Sequence, residues 1–518
     1  MQKRRGAALA TVAALALALV LGGGVVSAYA DEGTVVTVAN EQELTEALED
    51  AAAAKGAPYT IQLGADIELS DHTEEVSVGI SVTTSNHQTY CAYTLTDGEN
   101  VHLTSVPGMT HTLSLGDEIF KKSNGSLVMF YASGTAQLTL SNLTIDCNSA
   151  GDENLNTGTA VCVEHGSTLT IEDGAVITNS DGRTLKTDGR TRSLTGAVRA
   201  SYGARLVMNG GKLIGNDSGS TEDRTTAVVG ITNSSFEMNG GEISNNAISS
   251  EAVTYSLSLQ GLTGVVAINT DFTSMTLYPA DAGSPSMFVM NGGVISGNTN
   301  LDGCGGAISA GLTSRRDSNA TGVTEVTING GTISGNTALG GGAVSVYGSK
   351  YYTGDDGHGI VLKICEGARI TDNKAVLEDD AGEGGGAIVA RNYALLEVSG
   401  GEISGNYSDL SGGAVQLFNR ADMVMTGGTI SGNVSEAHGG GICVAATFQE
   451  GSDNASSLTM TGGTVASNTS RSVWSGEEHA DDPFAPGGGG IYLHGGTKLS
   501  LGGSASVSGN VVEGHGSG

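Results

Sequence analysis

From about residue 200 onward the chain alternates apolar and polar side chains in short bursts, and glycine ends almost every burst. In "VTINGG" at 326–331, Val326 and Ile328 share one side and Thr327 takes the other; Ile333 follows, and "GGGAVSV" at 340–346 sets Val344 and Val346 opposite Ser345. A period of two is the mark of a β-strand with one buried face. Strands this short cannot bury that face alone. They need copies of themselves.

The copies are present. An apolar residue followed by two residues and an asparagine recurs, ending at Asn216, Asn246, Asn298, Asn336, Asn373, Asn406, Asn433, Asn468 and Asn510, with spacings between 27 and 52 residues. A second phrase lies between many of them: "GGAIS" at 305, "GGGAIVA" at 384, "GGAVQL" at 412, "GGGICV" at 439 and "GGGGIYL" at 487. Periods of this length belong to solenoids. Each unit reads as three strands joined by glycine turns. Stacked in parallel about 4.8 Å apart, equivalent strands satisfy one another's backbone and enclose an apolar interior. Glycine suits the corners because it reaches positive φ without a Cβ penalty. Asparagine tolerates the same region, and stacked amides can bond to each other, so the nine asparagines are expected to form one structural ladder. The predicted fold is all-β, a parallel β-helix. Ten to twelve coils would make a rod of roughly 50–60 Å.

The N-terminus departs from this grammar. "ANEQELTEALEDAAAAKG" at 39–56 predicts a helix over 40–55, with Asn40 as N-cap, Glu43 three residues on, and Leu44 and Leu48 on one face. Tyr59, Ile61 and Leu63 then alternate as a first strand. Residues 31–70 are therefore expected to cover the open end of the coil. Irregular rungs follow at 71–133, regular repeats at 134–511, and a tail at 512–518; the uncovered last repeat suggests a longer parent protein. Before all this, Lys3, Arg4 and Arg5, an apolar run from Ala7 to Leu21, a glycine break at Gly22 to Gly24 and the small-residue pattern Ala28, Tyr29, Ala30 predict an export signal over 1–30, cleaved after Ala30. No second run of that kind follows, so no integral membrane segment is expected in the mature chain.

Composition agrees and excludes other classes. With 81 glycines and 6 prolines but no third-residue glycine period, collagen is out; at 38% hydrophobic residues, so is disorder. The net charge is −31, and removing Lys3, Arg4 and Arg5 makes the mature chain more acidic still. Such a chain repels phosphate backbones, so no nucleic-acid partner is expected. The six cysteines contain no CxxC or zinc-like spacing. Cys147 and Cys162 are the best candidates for a bridge; the alternative is that each cysteine fills a small slot.

Candidate chemistry is thin. "GDDGHG" at 354–359 holds Asp355, Asp356 and His358, and "SDGRTLKTDGRTR" at 180–192 holds Asp181, Lys186, Asp188 and Arg190. Each group sits on one loop, whereas an active site on a coil draws its groups from successive turns. No catalytic, cofactor or metal-binding residue is assigned. Insertions at 311–323, 348–359, 374–383, 446–457 and 469–486 emerge at recurrent corners, and Trp474 and Phe484 lie in the last of them. Loops at equivalent corners line one side of a coil, where repeat proteins commonly bind.

The pairing of "ISGN" with "GGGAVSV" and "GGGAIVA" resembles the GGAI and FxxN repeats of polymorphic outer membrane proteins, with Ile or Val in the Phe position. More broadly the chain resembles the right-handed parallel β-helix of the pectin-lyase-like class. The resemblance implies that fold and a bacterial cell-surface or secreted setting. The resulting expectation is a structural and adhesive module that binds a glycan or a surface protein through its loops. The alternative is a polysaccharide lyase, hydrolase or epimerase, which would show a carboxylate and an Arg or Lys converging from at least two coils.

Overall fold

The computed structural model describes residues 33–78, 87–123, 126–149, 157–181, 185–187, 190–192, 196–218, 227–248, 263–271, 283–313, 322–349, 357–377, 382–445, 455–471 and 487–513. The expected signal segment with Ala30, and Asp188, Asp355, Asp356, Trp474 and Phe484, lie outside these residues.

The chain winds as an all-β parallel solenoid. One coil shows the plan: Val344–Tyr347 forms a first row, residues 360–364 and 368–371 of the long strand Ile360–Thr371 form a second and a third, and Lys374–Ala375 forms a fourth. First-row strands make a 13-stranded sheet, the second and third rows share a 25-stranded sheet, and the fourth row is an 8-stranded sheet. The sequence predicts three strands per repeat; the fourth is two residues long in six of its eight copies, too short for its alternation to register. Among the named strands, pairing is parallel except in two hairpins, Glu74–Val78 with His87–Leu95 and Leu185–Thr187 with Arg190–Arg192.

Register converts the repeat into columns. Val161, Val198, Val229, Val266, Ile308, Val344, Ile388, Val415 and Ile442 stack in the first row. Ile177, Leu213, Ile243, Ile295, Ile333, Ile370, Ile403, Ile430 and Val465 stack in the third. All are buried in one continuous core. β-Branched side chains dominate because they fit a pleated surface packed on both neighbours.

The glycine phrase that opens the first-row strands from Ile308–Thr313 onward is a hook. At Gly341 φ is +54°, and a Cβ would sit 2.3 Å from the carbonyl oxygen of Val344. The same approach recurs at Gly305, Gly385, Gly412, Gly439 and Gly488, where that distance is 2.2–2.5 Å. Only glycine permits both the left-handed backbone and the close passage. The hook folds over the outward residue four positions on, such as Ser345, which is fully buried.

At the N-terminal end, strand Thr34–Val38 pairs with Tyr59–Leu63, and helix Glu41–Ala53 connects them. Asn40 Oδ1 accepts from the Glu43 N–H at 3.0 Å, and Glu43 Oε2 accepts from the Ala39 N–H at 2.8 Å. Leu44, Ala47, Leu48 and Ala51 join the core beside Tyr59 and Ile61. Glu41 accepts from the backbone N–H groups of Ser70, Asp71 and His72 at 3.0–3.1 Å, tying the helix start to the turn after the strand Ile67–Leu69.

All six cysteines are free thiols, which corrects the expected Cys147–Cys162 bridge. Cys147 packs in the main core, whereas Cys162 faces out of the first row into a separate cluster with Cys91, Val128 and Tyr131. The two point to opposite sides of the coil wall, and a disulfide needs Cβ atoms aimed at each other.

Candidate functional site

At outward positions of the first row, charged side chains from successive coils gather around the buried Glu164 and the buried Arg391. In register, Tyr131, Cys162 and Arg199 form one outward column, and Glu164 and Ser201 the next. Glu164 is fully buried. Tyr131 donates its hydroxyl to Glu164 Oε2 at 3.2 Å, and the Arg199 guanidinium lies 3.7 Å from Glu164 Oε1 while its Nε donates to Ser201 Oγ at 3.0 Å. His165 and Tyr202 occupy equivalent left-handed turn positions after their strands and stack with ring centroids 5.8 Å apart. His165 Nε2 is 3.9 Å from Glu164 Oε2.

Electrostatics fix the protonation states around this carboxylate. Burial pushes the Tyr131 hydroxyl well up, and the neighbouring Glu164 pushes it further. Burial also raises Tyr202; Arg199 opposes that, while Glu164 and Asp271 add to it. For Arg199, burial works to lower its pKa, but Glu164 and the surrounding phenols outweigh it and the net shift is upward. The cluster therefore presents a guanidinium already paired with a carboxylate, together with neutral phenols, which suits holding and orienting a polar group. Hydrolysis of a glycosidic bond would need a second carboxylate placed across that bond.

A second grouping lies four coils on. Tyr347, Arg391 and Phe418 share an outward column. The Arg391 guanidinium stacks 4.9 Å above the Tyr347 ring, is ion-paired with Glu383, and Cys304 Sγ lies 3.6 Å from Glu383 Oε2. Between the groupings the Arg199 column holds Gly230, Ala267, Ser309 and Ser345, and the neighbouring column that leads to Arg391 holds Ser201, Thr232, Asn269 and Gly311, so uncharged, mostly small residues separate the two. Neither grouping has a repeated sequence signal; each coil contributes a different residue type, and only the register assembles them.

The asparagines behave differently. Between Asn216 and Asn510, each Nδ2 donates to Oδ1 of the next asparagine at 2.8–3.0 Å, and each backbone N–H donates to the same Oδ1 at 2.9–3.1 Å. Nδ2 also caps the third-row carbonyl one coil earlier, as Asn373 does for Ile333 at 3.0 Å. Ser180 stands at the head of the file, donating N–H and hydroxyl to Asn216 Oδ1. The file from Asn216 to Asn468 is buried, so its chemistry is structural.

A second file, absent from the sequence reading, runs along the turns between the second and third rows. Asn239 donates to Asn209 at 2.9 Å, Asn291 to Asn239 and Asn329 to Asn291 at 2.8 Å each, and Asn209 donates to Glu172 Oε1 at 2.8 Å. These four asparagines are exposed, and their donors point toward the N-terminus, opposite to the buried file. The recurring "NGG" was the available signal.

The remaining candidates do not converge. Asp181 is buried beside Ser149, while Lys186 and Arg190 sit in the two-stranded hairpin. His358 Nε2 lies 3.0 Å from Asp422 Oδ2, and Ser457 Oγ donates to the other oxygen of that carboxylate at 2.5 Å. Burial raises the Asp422 pKa, but the bonds from His358 and Ser457 prevail and hold it below the ordinary range. With the aspartate central, this is not a nucleophile–base relay, in which the imidazole must sit between. Among the described residues no three His, Cys, Asp or Glu side chains gather as a metal site, and no helix is long and apolar enough to cross a membrane. No family model, curated protein or solved structure matches this chain.

Proposed function

We propose that this chain is an exported cell-surface or secreted β-helix with polymorphic outer membrane protein-like repeats, a stiff adhesive module that binds a surface glycan or protein along its first-row side. One observation carries the reading. The sequence insertions at 311–323, 348–359 and 446–457 come after a GGAI-type phrase, and those at 374–383 and 469–486 come between a buried asparagine and the next such phrase, the phrase that leads into a first-row strand. Loops of unequal length before and after the first-row strands, beside a face carrying the half-buried Arg199 and the buried Arg391, support recognition there. Arrays of glycans and matrix proteins probed with the mature chain test it: retained spots that weaken in Arg199→Ala and Arg391→Ala support the reading, and blank arrays remove it.

A second reading, a polysaccharide-cleaving or epimerising enzyme on a pectin-lyase-like scaffold, is favoured by the meeting of Glu164 and Arg199 from adjacent coils. Release of new reducing ends from neutral and acidic polysaccharides, lost in Glu164→Gln while binding persists, would select it.

A further inference from the structure

The exposed asparagine file has a chemical consequence. Asn209, Asn239, Asn291 and Asn329 each begin the same tripeptide, Asn-Gly-Gly, and each is exposed. In a flexible chain this is the sequence in which an asparagine side chain is most readily lost, because the following glycine leaves its backbone nitrogen unshielded. Attack by that nitrogen on Cγ forms an N–Cγ bond and breaks Cγ–Nδ2, expelling ammonia. Water then opens the succinimide to an aspartyl or isoaspartyl residue. Water is the only co-reactant, and nothing is oxidised or reduced.

Since the tripeptides are identical, their intrinsic rates are matched, and any difference in the folded protein comes from the file. Asn209, Asn239 and Asn291 are each held at both ends of the amide: Nδ2 donates to the preceding member or to Glu172, and Oδ1 accepts from the following one. The glycine N–H groups are engaged as well, Gly210 to the Ile171 carbonyl at 3.3 Å and Gly240 to the Met208 carbonyl at 3.2 Å. Asn329 ends the file. Its Nδ2 donates to Asn291, but in the next coil the register sets Cys365 and Glu366 opposite it, so no further asparagine amide donates to its Oδ1.

We propose that Asn329–Gly330 is a self-modification site, converting to a succinimide and then to an aspartyl or isoaspartyl residue, while the three preceding Asn–Gly pairs are protected by the file. Asn329 is retained by one amide bond where the others have two. Its conversion in the folded protein is expected to run roughly fivefold faster than that of Asn239, the factor to which one net hydrogen bond of about 1 kcal/mol corresponds. The product carboxylate could not donate to Asn291 and would add negative charge beside Glu366.

The experiment is peptide mass spectrometry on the mature chain held at mildly alkaline pH, folded and in urea, following the one-dalton gain at each site. In urea all four sites are expected to convert at one rate; in the folded protein Asn329 leads. The variant Asn329→Ser, checked for an unchanged β-sheet circular dichroism spectrum, makes Asn291 the end of the file, and its rate should rise to the level Asn329 shows in the parent. Equal rates at all four sites in the folded protein, or an Asn291 rate unmoved by Asn329→Ser, would overturn the proposal.

Discussion

Replacing Asn373 by alanine tests the buried file where it is most complete. Asn373 is 1% exposed. Its Oδ1 accepts from the Asn336 backbone N–H at 3.0 Å and from Asn336 Nδ2 at 2.9 Å, and its own Nδ2 donates to Asn406 Oδ1, the Ile333 carbonyl and the Thr371 carbonyl, each at 3.0 Å. Alanine removes both ends of the amide. Asn406 Oδ1 keeps the Asn373 backbone N–H as a donor, and Asn336 Nδ2 keeps the carbonyls of Ile295 and Ser334. The groups without a substitute are the Asn336 N–H and the Ile333 carbonyl's side-chain bond. Two such buried groups at about 1–3 kcal/mol apiece place the cost at about 2–6 kcal/mol.

The matching control is Asn239→Ala in the exposed file, where water replaces the lost partners and the expected cost is under about 1 kcal/mol. Long stacked arrays do not melt as one unit, so a global midpoint would dilute the effect. Native-state hydrogen exchange reads it locally: the Asn336 amide in Asn373→Ala should lose most of its protection, while amides of coils beyond 433 keep theirs. If Asn373→Ala leaves the Asn336 amide as protected as Asn239→Ala does, the file contributes nothing beyond its strands and the argument fails.

Gly341→Ala should cost more than the left-handed backbone penalty of about 1–2 kcal/mol alone, because its Cβ would also meet the Val344 carbonyl at 2.3 Å; Gly357→Ala, with φ +86° and no atom within 4 Å, isolates the backbone part in urea titrations. At Glu41 burial acts to raise the carboxyl, but the backbone N–H groups of Asp71, His72 and Ser70 prevail and hold it below its ordinary value of 4.5. Its stabilisation is thus present above that value and lost as pH falls through the lowered one, and Glu41→Gln should flatten the acid limb of helix unfolding followed by circular dichroism. Arg199→Met leaves Glu164 buried without its guanidinium and should cost about 3–5 kcal/mol, most of it recovered on adding Glu164→Gln in a double-mutant cycle of thermal stability. Burial raises the thiols of Cys91, Cys147, Cys162 and Cys304 and pushes Cys443 up to about 12, so a thiol reagent at neutral pH should label half-buried Cys365 first and the others only after unfolding.

What could be read from the chain divides along a physical line. Columns that repeat in every coil, such as Ile333 beneath Ile370 and Ile403, were legible because each coil must supply the same inward side chain to its neighbours. The fourth row was not, since strands like Lys374–Ala375 are too short to show a period. The exposed asparagine file stays hidden in the sequence, because "NGG" satisfies a turn rule on its own and nothing in one copy reveals that amides will align across coils. The Glu164 and Arg199 cluster was invisible for the opposite reason. Outward first-row positions differ from coil to coil, and a buried ion pair between residues 35 apart depends on a register that only stacking sets.

That division also explains where the chain varies. From the third-row apolar residue to the buried asparagine the step is always three residues, and from Ile171 onward three or four residues separate a second-row strand from the third-row strand after it. An extra residue at the first of these steps would pull an asparagine out of its file and repeat the cost worked out for Asn373. At the second it would misalign the third-row column with its neighbours. At either end of a first-row strand no file crosses the gap, and lengthening a loop costs only about 0.6 kcal/mol per doubling of its length. The sequence insertions accordingly fall before or after the first row, and Arg199 and the buried Arg391 stand on that row's outer face. The rule that lets this chain accept insertions is therefore the rule that directs its variable residues to one side, whatever ligand that side meets.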